Sequence, residues 1–205
     1  MGVKQMNKKI IAAIIVVIII ALCAYQFVYV PYQNEEAIKN YNAGLQNISA
    51  IDGEINESLA KLDNLNPYDI SGGINVTTQT FKEVEPKIDQ QLEKLNETRT
   101  YANGNETKEK YIDYQIKVKE IEKELVSETI KEYEEFNTAY ANSDINKMMS
   151  VSTDMEKSYN SKTDEVKPVR DDIINLLNEH PDLNQTLHDL NLSDDFYGNM
   201  TLSHI

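Results

Sequence analysis

Three histidines, one cysteine and a surplus of carboxylates are the side chains here that could do chemistry, and their placement argues against catalysis. His180, His188 and His204 all fall within the last 26 residues. His180 and His188 are eight apart, whereas two zinc ligands on one helical face need a step of four. Cys23 lies inside an uncharged apolar run, so no later cysteine can serve as nucleophile, ligand or disulfide partner. No glycine-rich phosphate loop and no Gly-x-Ser-x-Gly elbow is present. Asp189, Asp194 and Asp195 lack the glycine-centred loop and terminal Glu of a calcium hand. With 34 acidic residues in the chain, any chosen carboxylate pair says little. The expectation is a protein that is not an enzyme, with no catalytic residue, no cofactor and no metal site.

One motif is over-represented. Asn47, Asn56, Asn75, Asn96, Asn105, Asn184, Asn191 and Asn199 each begin an Asn-x-Ser/Thr triplet. With 21 Asn and 23 Ser plus Thr in 205 residues, chance supplies about 2.4 such triplets. Two physical readings compete. The asparagines carry N-linked sugar, or Asn, Ser and Thr cluster because all three favour helix caps and turns. The first predicts solvent-facing asparagines throughout, with Asn75 and Asn105 in or beside loops and Asn184, Asn191 and Asn199 in a loosely ordered tail.

These residues are arranged around Ile10–Val30, 21 residues with no charge and Gln26 as the one strongly polar side chain. As a helix this run extends roughly 30 Å, the thickness of a bilayer's hydrocarbon core. Lys4, Lys8 and Lys9 precede it and Glu35 and Glu36 follow, so the positive-inside rule puts the N-terminus in the cytoplasm. Tyr25, Tyr29 and Tyr32 gather at the outer end, the headgroup level that amphipathic rings prefer. A cleaved signal peptide has a shorter apolar core followed by a small-residue site. Apolar character here continues through Phe27, Val28 and Val30, and Leu22 occupies the position where lipoprotein processing wants a small residue. The run therefore reads as an uncleaved anchor.

After Val30 come 17 basic and 34 acidic residues, a formal charge of −17. Such a surface repels nucleic acid and anionic lipid alike. Few Gly and Pro, no Trp and many Glu, Lys, Ile and Leu suit long helices. Apolar steps of three and four predict helices over 34–65, from Thr80 to the Asn103-Gly104-Asn105 turn, over about 106–141, and from 145 to Glu179-His180-Pro181. Thr80-Phe81-Lys82-Glu83 matches a capping box, with Pro86 delaying the true start of its helix. Residues 68–78, with Gly72-Gly73 and the β-like Ile74-Asn75-Val76-Thr77, are predicted to be a loop and the first place to seek a contact surface. Met148, Met149 and Met155 are predicted core filler. Leu183, Leu187 and Leu190 suit a short amphipathic helix.

The fold class predicted is all-α: a single N-terminal transmembrane helix followed by an elongated antiparallel three- to four-helix bundle. Its parts are a cytoplasmic basic tag (1–9), a transmembrane anchor (10–30), an extracytoplasmic bundle (31–180) and a C-terminal tail (181–205). The partners expected are the lipid bilayer, through residues 10–30, and a protein at the cell surface. Two functions follow: a structural or protein-interaction role at that surface, or capture of a ligand or cation between the helices. A continuous packed seam favours the first; a pocket of convergent polar groups favours the second.

Overall fold

The chain repeats apolar residues at alternating steps of four and three, and the computed structural model shows what that spacing builds. It describes residue 21, residues 30–66 and residues 68–192. Among the described residues five helices form a bundle: α1 (Val30–Leu59), α2 (Ile70–Thr100), α3 (Glu106–Ala141), α4 (Ile145–Glu179) and the short α5 (Pro181–Asp189), with a 3₁₀ turn at Leu62–Asn64. No strand occurs among the described residues. The predicted anchor, apart from Ala21 and Val30, lies outside them, and no helix among them is long and apolar enough to cross a membrane.

Tight turns set the topology. Asn103 and Gly104 adopt positive φ between α2 and α3, and Ser143 does so between α3 and α4. Asn105 caps α3 by accepting from the Lys108 amide at 3.0 Å, and Asp144 caps α4 by accepting from the Lys147 amide at 3.0 Å. Each helix therefore runs back along its predecessor, and the close packing is between α1 and α2, α2 and α3, and α3 and α4. At about 1.5 Å per residue the 36-residue α3 is about 54 Å long.

On α1, Tyr41, Leu45, Ile48, Asp52, Ile55 and Leu59 are buried. On α2 a seam of Ile74, Thr77, Phe81, Val84, Ile88, Gln91, Leu95 and Thr98 is buried, and Thr80 is buried beside it. Both follow a strict heptad seam. α3 is flanked by α2 and α4, and its buried residues accordingly cover a broader face, from Tyr111 to Ile130. Leu45, Ile48, Ile121, Leu125 and Ile173 join one core cluster, with Leu92 half-buried at its edge. Gly44 of α1 packs directly against Thr98 of α2. A Cβ there would stand 2.1 Å from Thr98 Oγ1, so only glycine fits without a shift.

The structure corrects three expectations. Residues 70–78 are helix, not loop. Asp69 caps α2 by accepting from the Gly72 amide, and Thr77 and Thr78 turn their hydroxyls back onto the carbonyls of Gly73 and Ile74. That leaves their β-branched side chains no obstacle to a helix. Thr80 is thus buried mid-helix rather than a cap, and Pro86 lies inside α2 without delaying its start. α1 ends at Leu59, six residues before the predicted boundary, and the 3₁₀ turn carries the chain onward. Nor are the methionines core: Met149 is 67 % exposed, and Met148 and Met155 are half-buried.

Leu45→Ala removes a fully buried side chain and should lower stability by about 2–5 kcal/mol through lost burial and a cavity. Ile145→Ala, at an exposed position, should stay within about 0.5 kcal/mol. Urea unfolding followed by circular dichroism separates the two.

Candidate functional site

Two features stand out from the seam, one in its middle and one at its far end. The first is a group of polar side chains sealed inside the bundle. Asp52 of α1, Gln91 of α2 and Lys119 and Glu122 of α3 are each no more than 2 % exposed. Lys119 Nζ donates to Asp52 Oδ1 at 3.0 Å and lies 2.8 Å from Glu122 Oε2. Gln91 Nε2 donates to the same Asp52 oxygen at 2.6 Å. Burial alone would pull the Lys119 pKa down. The charges of Glu122 and Asp52, and the hydrogen bonds to them, outweigh it and hold the ammonium above its ordinary range. The lysine therefore stays charged in the core, held between the two carboxyl groups. It is sealed from solvent.

The second feature is a cleft of about 660 Å³ at the end of the bundle away from Val30. It exists because α1 stops at Leu59 while α2, α3 and α4 continue past it. The Leu62–Asn64 turn forms one wall, Phe81 of α2 and Leu125 and Tyr133 of α3 form the floor, and Met155 and Tyr159 of α4 form the opposite wall. The Phe81 and Tyr133 rings stack at 6.4 Å between centroids. Two carboxylates, Asp63 and Glu132, are in the lining, and no Lys, Arg or His is. The Glu132 carboxyl is raised above its ordinary value by burial first, then by Glu128, Asp154 and Glu135.

The residues singled out in the sequence are scattered. Seven of the eight triplet asparagines are among the described residues, and none is buried. Asn47 and Asn56 are exposed on α1, Asn96 is exposed on α2, and Asn184 is half-buried on α5. Asn75 is exposed but helical rather than in a loop, for the reason given for residues 70–78. Asn105 is the cap of α3 and Asn191 has positive φ in a turn, positions that cap-and-turn chemistry also favours. Asn199 lies outside the described residues. Among the histidines, His180 is at the α4–α5 junction with its ring 3.4 Å from Thr107 Oγ1, His188 is exposed on α5, and His204 lies outside the described residues. No three His, Cys, Asp or Glu side chains among the described residues group as a metal site.

Sequence reasoning passed over the buried polar group, although it leaves a trace. Asp52, Gln91 and Lys119 each occupy a slot seven residues from apolar or small seam residues on either side, so each is a polar break in an otherwise regular stripe. Glu132 and Tyr133 carry no such trace, because the cleft depends on where α1 ends. Comparison with known protein families, with curated proteins and with solved structures gave no match.

Lys119→Met should lower stability by about 3–5 kcal/mol, because two buried carboxylates lose the cation between them. Replacing Asp52, Gln91, Lys119 and Glu122 together by apolar residues of similar size should recover most of that loss. Urea midpoints of the single and quadruple variants test both halves.

Proposed function

We propose that this chain is a single-pass, membrane-anchored protein whose helical bundle stands outside the membrane and serves a structural or protein-interaction role at the cell surface. One observation carries the reading. The uncharged run Ile10–Val30 is long enough to span a bilayer, and the packed helical bundle follows it directly in the chain. A stiff rod then projects from the bilayer and holds its distal end about 50 Å above it.

Three further features support this role. The seam is packed from Tyr41 to Leu59 on α1 and from Ile74 to Thr98 along α2, as a spacer needs. The strong negative charge after Val30 keeps the rod off anionic lipid headgroups and excludes nucleic acid as a partner. Large exposed apolar side chains concentrate at the distal junctions: Tyr68 and Ile70 at the start of α2, Tyr140 at the end of α3, and Ile145 and Met149 at the start of α4. That is the end a surface partner would meet first. The exposure of the described triplet asparagines is compatible with sugar on this external face.

Protease added to intact cells should remove everything after about Tyr32 and leave a short protected fragment. A full-length product resistant on intact cells but cut in inverted vesicles would reverse the orientation. Intact-mass measurement of the native protein should show hexose-containing additions, and a mass equal to the bare polypeptide would mean that the triplets serve only as caps and turns.

A further inference from the structure

We propose that the distal cleft is a binding site for an organic cation: an amine or quaternary ammonium attached to an aromatic or alkyl body. The inference rests on the cleft's lining and does not depend on the anchor.

Size comes first. A volume of about 660 Å³ lies in the range of small-molecule sites and far exceeds what a bare metal ion or a water needs. The wall chemistry is mostly apolar and aromatic, with Phe81, Tyr133, Tyr159, Met155 and Leu125 supplying aromatic rings, a thioether and an alkyl surface. Aromatic faces attract cations through the negative face of the ring quadrupole, most strongly where water is excluded. A thioether is polarisable and adapts to the shape of an irregular guest.

Charge decides the sign of the guest. Asp63 and Glu132 are the only ionisable groups in the lining besides the two tyrosines. No salt bridge or side-chain hydrogen bond reaches Glu132 among the described residues. The groups facing it are like charges: Glu128 and Glu135 one turn either side on α3, and Asp154 across on α4. Lys147 is paired with Glu135, Lys157 with Asp154, and Lys162 with Glu124 and Glu165, while the exposed Lys131 beside Glu132 in the chain makes no ion pair with it. A half-buried carboxylate that no salt bridge engages raises the affinity of the cleft for any cation that can enter it. The absence of three grouped metal ligands among the described residues, set beside the aromatic walls, favours an organic cation over a metal ion.

The test uses the full-length protein in detergent micelles, with benzyltrimethylammonium as probe and benzyl alcohol and benzoate as its neutral and anionic counterparts. Calorimetric titration should show saturable one-site binding of the ammonium. The other two should bind at least about tenfold more weakly, the value of one ion pair or one desolvated cation–π contact. Glu132→Gln should reduce ammonium affinity by about tenfold or more without lowering the melting temperature at neutral pH, because the amide removes a charge that burial disfavours. Tyr159→Leu, at a position 37 % exposed, gives a second variant whose fold is not at stake and which should also weaken binding. Absence of saturable ammonium binding at millimolar concentration overturns the proposal. So does equal affinity for benzyl alcohol, which would make the cleft merely apolar. Binding unchanged in both variants would place the cation elsewhere on the protein.

Discussion

The interaction on which the rest of the bundle depends is the buried contact of Asp52, Gln91, Lys119 and Glu122. Apolar seams built on a seven-residue repeat are degenerate, since one heptad reads much like the next. On α1, Leu45 and Leu59 stand seven residues either side of Asp52. On α2, Val84 and Thr98 flank Gln91 in the same way, and on α3, Ile112 and Val126 flank Lys119. A slide of one heptad would therefore set leucine against lysine, with both carboxylates stranded in the core. An unpaired buried charge is far costlier than an imperfect apolar fit. The polar group thus fixes the register of three helices at once, a role that hydrophobicity alone cannot perform.

Register in turn decides the shape of the distal end. With Asp52 pinned beside Lys119, the remaining length of α1 is set, and it runs out at Leu59 while α2 and α3 continue. The gap this leaves is the cleft. Surface ion pairs such as Arg99 with Asp113 and Lys123 with Asp89 add little by themselves. α4 is held differently along its length. Its proximal half is sealed by Val166, Ile173, Leu176 and Leu177. Its distal half relies on Val151 and on polar contacts, Ser158 with Glu128 and Lys162 with Glu124. The wall of the cleft that carries Met155 and Tyr159 is therefore the less apolar stretch of the core.

Local chemistry made much of this legible beforehand. α3 and α4 fall at the boundaries their periodicity predicts, because Asn105 and Asp144 are strong caps and Asn103-Gly104 and Ser143 suit left-handed turn positions. The start of α2 was hidden because Gly72-Gly73 and a Val-Thr-Thr run resist helix on propensity alone. Burial of Ile74 and Thr77 against the rest of the bundle, with the Asp69 cap, overrides that preference. The buried lysine was missed because charged residues are rarely fully buried. The cleft was invisible for a different reason: it is a property of where α1 ends relative to three other helices, and no stretch of sequence encodes that by itself.

The turns at Asn103–Gly104 and Ser143 have one more effect. Because each long helix packs mainly on the one before or after it, most contacts join residues that are near in the chain. Such topologies close small loops and reach their transition state with little entropic penalty. The bundle can be assembled progressively, each new helix docking on a partner already in place. A chain of this kind is expected to fold on the microsecond-to-millisecond scale typical of helical bundles. It would spend little time with its apolar stripes unprotected, an advantage for a protein with no disulfide to hold a partly formed state together.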